Sequence, residues 1–237
     1  MFIHMSKDSS MLAIIGGTSG IGLDLATFFF SKKENIKIYG RRKVENLPCE
    51  YLDILDEENI KNVFKDEKDL KKIVYCAGIT CKKQDIASFS KENWLHIVNT
   101  NVTGLLLVLK YTYKYLAKNQ GKIVVVNSIA SRNYSLFSGV EYTMSKCALS
   151  GLVRQLSQDF APDNVLINSV FPSMTLTPML VDNVEKQKLE NIIKQIPLGR
   201  LAITQDIIYA IDFLLSDKNS YMTGIGIDVN GGQFLNG

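Results

Sequence analysis

An apolar run, Met11-Leu-Ala-Ile-Ile, passes directly into Gly16-Gly-Thr-Ser-Gly-Ile-Gly22, and Leu23-Asp-Leu-Ala-Thr-Phe-Phe-Phe30 follows. No other stretch restricts the fold as much. Five apolar residues without alternation read as a strand buried on both faces, the kind found in parallel sheets. The segment after the glycines reads as a buried helix. Strand, glycine turn and helix in that order form the setting in which a backbone cradles a phosphate. Gly16 permits the tight turn, Gly20 lets a pyrophosphate approach the backbone, and Gly22 allows close helix packing. The candidate phosphate-binding set is Gly16, Thr18, Ser19, Gly20 and Ile21. An ordinary glycine-rich turn is the plainer alternative.

The same alternation continues along the chain. Ile36-Lys-Ile-Tyr39 is a second strand, and Gly40-Arg-Arg-Lys43 follows it. In a dinucleotide-binding fold this turn faces the adenosine ribose, where arginine suits a 2′-phosphate and a carboxylate suits a free hydroxyl. Arg41 therefore favours NADP, with NAD as the alternative. Only residues 44–50 separate this turn from a strand at Tyr51-Leu52, too few for a full crossover helix. Asp53 is placed to accept a hydrogen bond from an adenine amino group, and Asp53 or Asp56 caps a helix over 57–65. Lys72-Ile-Val-Tyr-Cys76 is a fourth strand, ending in Ala77-Gly78, small residues that let a cofactor lie against the backbone. A helical segment spans 91–118 and contains Asn101, which either bonds to local backbone or kinks the helix around a water.

Lys122-Ile-Val-Val-Val-Asn127 forms a fifth strand and delivers Ser128 to the carboxyl edge of the sheet, where parallel sheets bind ligands. A helix to about Phe160 carries Tyr142 and Lys146. Residues 165–171 form a sixth strand, and the chain leaves it through Pro172, Thr175, Thr177 and Pro178 toward a polar helix over 183–194, a candidate substrate lid. A helix with a threonine cap at Thr204 and a last strand over 224–229 complete the pattern. The expected fold is α/β, a single doubly wound parallel sheet of the Rossmann type flanked by helices, with the second crossover helix shortened. Residues 1–10 read as a flexible leader and residues 11–237 as one domain.

Tyr142 and Lys146 are four residues apart, so a helix puts them on one face. Free tyrosine titrates near pH 10; as a proton donor near neutrality it must drop by about three units, roughly 4 kcal/mol of differential charge stabilisation. A lysine charge in a poorly hydrated cleft supplies this, while the Ser128 hydroxyl holds a carbonyl oxygen. The spacing alone carries little weight, since Tyr39 and Lys43 repeat it at the end of a strand.

With 237 residues, 27 basic and 24 acidic, the net charge is +3, which is not the footprint of a nucleic-acid binder. No apolar run reaches the roughly 20 residues of a membrane span. Cys49, Cys76, Cys81 and Cys147 form no Cys-x-x-Cys pair, and with His4 and His96 they complete no metal set. Free thiols fit a reducing compartment, so the expected location is cytoplasmic.

Taken together, these residues resemble the short-chain dehydrogenase/reductase family over almost the whole length after Met11. The glycine motif is Gly16-x-x-x-Gly20-Ile21-Gly22, and Ile196-Pro-Leu-Gly-Arg-Leu201, Tyr221-Met-Thr-Gly224 and Val229-Asn-Gly-Gly232 look most like the bacterial 3-oxoacyl-acyl-carrier-protein reductases. The resemblance implies a catalytic tetrad of Asn101, Ser128, Tyr142 and Lys146. In it, Tyr142 moves the proton, Lys146 lowers the tyrosine pKa and holds the nicotinamide ribose, Ser128 positions the substrate oxygen, and Asn101 anchors a relay water. Asp53 would contact adenine, Ala77 and Gly78 would flank the cofactor, and Thr175 and Thr177 would meet its nicotinamide amide and diphosphate. The implied activity is NAD(P)-dependent interconversion of a ketone and a secondary alcohol on a small-molecule or carrier-bound carbonyl substrate. A role in a secondary-metabolite or surface-sugar pathway is the alternative, as is a non-catalytic NAD(P)-binding sensor or scaffold. Docking of a carrier protein needs a basic patch, for which Lys82, Lys83 and Arg132 are the candidates. The implied assembly is a homotetramer or dimer through the helices at 101–118 and 142–160. The chain departs from the family at Tyr75-Cys76, where two asparagines are usual, and at Ser173, where glycine follows the proline.

Overall fold

Along Met11–Ile15, strand β1, every residue is buried, and successive side chains enter different cores. Met11, Ala13 and Ile15 pack into one, Leu12 and Ile14 into the other. A strand apolar on both faces needs a covering layer on each, and this produces three layers, helices–sheet–helices. The computed structural model describes residues 10–135, 137–181 and 186–235. Residues 1–9 of the expected leader, and residues 183–185 of the expected polar helix, lie outside the described residues.

The strands are β1, β2 (Ile36–Gly40), β3 (Cys49–Tyr51), β4 (Leu70–Tyr75), β5 (Lys122–Val126), β6 (Leu166–Pro172) and β7 (Gly226–Val229). They form one parallel sheet in the order β3-β2-β1-β4-β5-β6-β7. The order reverses direction between β1 and β4, which opens a crevice at their carboxyl ends. On one face, Leu25 and Phe29 of α1 (Gly20–Ser31) pack with Ile207 and Ile211 of α8 (Thr204–Leu215). On the other face lie α2 (Glu57–Val63), α4 (Gly104–Asn119) and α5 (Val140–Phe160), through Ile60, Leu105, Val108, Leu149 and Val153. As expected, no helix occupies the link between β2 and β3.

Two details differ from the sequence expectations, and a third settles which of two expected aspartates caps α2. The segment 91–118 is not one α-helix: α3 (Lys91–Val98) passes through a π turn, Asn99–Thr103, into α4. Thr204 does not cap α8. Ile203 takes the cap position, its backbone N–H donates to Asp206 at 2.9 Å, and the Thr204 hydroxyl instead donates to Asp24 of α1 at 2.6 Å. The cap of α2 is Asp56, which accepts from Asn59 N at 3.0 Å, while Asp53 accepts from Leu55 N. Beyond β6 lie α6 (Pro178–Val181) and α7 (Lys186–Ile193). Among the described residues no helix is long and apolar enough to cross a membrane.

Candidate active site

The turn after β1 is built by close packing. Gly16 has φ +81°, and a Cβ there would lie 2.6 Å from the Ala77 nitrogen, so the turns after β1 and β4 touch backbone to backbone. A Cβ on Gly22 would lie 2.3 Å from the Gly16 carbonyl oxygen, which seats the start of α1 on the turn as expected. Ser19, at the cap of α1, makes no side-chain cap bond. The first-turn amides are therefore left for an anionic ligand, with the helix dipole favouring negative charge there.

This turn opens into a cleft of about 430 Å³ along the carboxyl edge of the sheet. Gly16, Thr18, Ser19, Gly20, Ile21, Arg41, Asp53, Ala77, Gly78, Ser128, Tyr142, Lys146, Thr175 and Thr177 all line it. The elongated shape follows from the topology: Arg41 leaves β2, Ala77 and Gly78 leave β4, Ser128 leaves β5 and Thr175 follows β6. A bare glycine turn, a shallow backbone floor at Gly78 and a basic side chain at one end fit a dinucleotide. The chain's own groups at that end would hold the adenosine phosphate, and those at Thr175 and Thr177 the nicotinamide half.

Asn101 is the exception, because it lies behind the cleft and is fully buried. Its Nδ2 donates to Ile79 O at 3.0 Å and to Ser145 Oγ at 2.9 Å, and its Oδ1 accepts from Ile79 N at 2.8 Å. Of the alternatives raised by the sequence, the tie to backbone is the one seen, and the helix is widened into a π turn at this point. Both side-chain amide hydrogens are engaged by protein, and the side chain ties the Gly78-Ile79 backbone to the π turn. Ser145, unremarked in the sequence, passes the contact on by donating to Tyr142 O at 2.7 Å. A serine inside a helix carries no signal of such a role.

Lys146 is buried, and its ammonium donates to Val126 O at 3.0 Å. Burial lowers its pKa to about 8. The ammonium lies 5.6 Å from the centre of the Tyr142 ring. The Ser128 hydroxyl, which accepts from Ala130 N at 3.1 Å, lines the same cleft as the Tyr142 phenol and acts on its titration. Burial pushes the tyrosine's pKa up, and the serine hydroxyl pulls it down by a smaller amount. With a pKa of about 8, Lys146 still carries its charge at neutral pH beside the tyrosine ring.

The proposed basic patch also divides. Arg132 pairs with Asp228 at 2.6 Å and stacks on the Phe171 ring at 3.7 Å, so it braces β7 against β6. Lys82 lines the cleft, and Lys83 contacts the Tyr134 hydroxyl at its mouth.

A family model described as enoyl-(acyl carrier protein) reductase matches residues 25–233. The 3-oxoacyl-[acyl-carrier-protein] reductase of Aquifex aeolicus is 32% identical over 93% of this chain and 86% of its own length. The chain belongs to the short-chain dehydrogenase/reductase family. It is an NAD(P)-dependent oxidoreductase of the ketoreductase kind. It is also similar to the FixR protein of Bradyrhizobium diazoefficiens, at 27% identity over 96% of this chain and 88% of that protein. Among solved structures, ElxO with NADP bound superposes with a TM-score of 0.85 at 25% identity, covering 94% of this chain and 98% of that one. For a short-chain dehydrogenase/reductase, the two departures near the cofactor are absorbed locally. Cys76 is half-buried, and desolvation pushes its pKa up to about 12, so it stays an uncharged thiol. Ser173 donates its N–H to Val229 O at 3.1 Å and accepts from the Thr175 hydroxyl at 3.0 Å, which shapes the turn without a glycine.

Proposed function

We propose that this chain reduces the ketone of a small-molecule or carrier-bound 3-oxo substrate to a secondary alcohol with NADPH, using Tyr142 as the proton donor. The observation that carries this reading is the convergence of Ser128, Tyr142 and buried Lys146 in one cleft with the glycine turn. When bound, NADPH supplies the two electrons and the hydrogen that reach the carbonyl carbon. Ser128 donates to the carbonyl oxygen, and Tyr142 protonates it as charge develops there. The Lys146 ammonium, held on Val126 O, stabilises the phenolate left behind. Asn101 keeps Gly78-Ile79 and the Tyr142 turn in place. Arg41 at the adenosine end supports NADP over NAD, and Asp53 beside it supports the adenine contact.

Fluorescence titration with NADPH and NADH, followed by turnover of a panel of 3-oxo esters and thioesters, tests the reading. Preferential NADPH binding with turnover lost in Tyr142→Phe is the expected result. Turnover that survives in Tyr142→Phe would overturn it. Lys82 and Lys83 at the cleft mouth support docking of an acidic carrier. Exposed apolar residues on α4 and α5, Leu106, Val140 and Met144, support assembly through those helices. Sedimentation as a monomer at micromolar concentration would remove that assembly. Four free thiols, Cys49, Cys76, Cys81 and Cys147, support a cytoplasmic site of action.

A further inference from the structure

Gln233 lines the catalytic cleft, and its Oε1 is buried with no hydrogen-bond partner among the described residues. Buried amide oxygens are normally paired, so an orphan in a cleft wall is a position awaiting a donor. The topology says which end of the cleft it serves. Arg41 leaves β2, near one edge of the sheet, whereas Gln233 follows β7, the opposite edge strand. Ser128 leaves β5, between them. Gln233 therefore stands on the far side of the catalytic serine from the adenosine end. The cleft lining also includes the apolar Met174, Met179 and Leu180, carried like Gln233 on segments that follow the last two strands.

The side chain is presented by a rigid turn. Buried Asn230 accepts from Gly232 N through its Oδ1 at 2.9 Å, donates through Nδ2 to Phe234 O at 2.8 Å, and accepts from Gln233 N on its own carbonyl at 3.0 Å. Three bonds from one residue thus bracket Gln233. Gly231 and Gly232, at φ +60° and +85°, press against Ile196 and Pro197: a Cβ on either would come to 2.8 and 3.0 Å. Such a clamp holds Gln233 in position before any substrate arrives, which is how binding groups gain selectivity.

We propose that Gln233 is a specificity-determining residue whose amide oxygen accepts a hydrogen bond from an N–H or O–H of the ketone substrate. This rests on the ketoreductase reading above. Two pairs of probes test it: 3-oxobutanamide against methyl 3-oxobutanoate, and 4-hydroxybutan-2-one against pentan-2-one. Each pair differs mainly in the hydrogen-bond donor. Binding is read by NADPH fluorescence in the Tyr142→Phe protein, so that it does not depend on turnover. The donor-bearing member is expected to bind about tenfold more tightly, as for one hydrogen bond to a buried group. That preference is expected to collapse below about threefold in Gln233→Leu and in Gln233→Met. Unaltered NADPH affinity shows that both variants are folded. A preference in the amide pair assigns the donor to an amide, and one in the alcohol pair assigns it to a hydroxyl. Equal binding within both pairs, or a preference that survives both substitutions, overturns the proposal. Turnover by the unsubstituted protein is measured separately. Its absence, with the binding preference intact, would remove the ketoreductase reading and leave the Gln233 site standing.

Discussion

Asn101 donates to the Ser145 hydroxyl at 2.9 Å, and Ser145 donates in turn to the Tyr142 carbonyl at 2.7 Å. The π turn between α3 and α4 is thereby joined to the first turns of α5, which carry Tyr142 and Lys146. The same Asn101 side chain holds Ile79 by two bonds. One buried amide thus ties the backbone at Gly78-Ile79 to the helical turn that carries Tyr142.

Asn101→Ala removes three hydrogen bonds and leaves Ile79 N and O without their side-chain partner. A loss of roughly 2–4 kcal/mol in stability is expected. Urea unfolding measures this, and a fall in kcat larger than the change in cofactor affinity is expected alongside it. A stable variant with normal kcat would separate the asparagine from both roles.

Tyr142→Phe deletes the phenolic hydroxyl and keeps the ring. A fall in kcat by a factor of about 10² to 10⁴ is expected, the usual worth of a positioned proton donor. NADPH affinity, read by fluorescence, is expected to stay within about twofold, because the phenol is one contact among many in the cleft.

Lys146 links activity to pH and to stability. Burial lowers its pKa from 10.5 to about 8, so the unfolded chain binds the proton more tightly than the folded one. Stability therefore rises with pH between about 8 and 10.5, and below that window the full cost is present, on the order of 3 kcal/mol. Lys146→Met is expected to be about 1–3 kcal/mol more stable than the parent at pH 7 and to lose that advantage above pH 10.5. Unfolding curves at pH 7 and pH 11 decide it. In the unsubstituted protein, ketone reduction is expected to decline as pH rises through about 8, as the ammonium that supports the phenolate is lost.

Arg41 is exposed and lines the cleft just after β2. Arg41→Ala is expected to weaken NADPH binding by about ten- to one hundredfold, the range of charge-assisted hydrogen bonds to a phosphate. NADH binding is expected to change little. Equal weakening of both cofactors would move the arginine away from the 2′ position.

Arg132 is a brace, and its substitution reads out in stability. The guanidinium pairs with Asp228 and covers the Phe171 ring. Arg132→Ala is expected to cost roughly 1–3 kcal/mol, by leaving a half-buried carboxylate unpaired and exposing the ring. Thermal unfolding tests this, and KM for a carrier-bound substrate is expected to stay close to the parent value.

Much of this protein is written in local pattern. The unbroken apolar run at Met11–Ile15 dictates a strand covered on both faces, and the alternation of such runs with helical segments dictates a parallel sheet, because only crossovers can join its strands. The glycines at 16, 20 and 22, the serine at the end of β5 and the Tyr142–Lys146 spacing are equally legible, since each depends on residues a few positions apart. What the tertiary structure decided are meetings across long separations. Asn101 reaches Ile79 and Ser145, Arg132 is drawn from the cleft by Asp228, Thr204 turns to Asp24 instead of capping its helix, and Asn230 aims Gln233 at the cleft. The tyrosine's titration belongs to the same group. The four-residue spacing places a lysine beside it, but how much charge that lysine carries depends on burial, and burial is created only when the whole chain has packed around it.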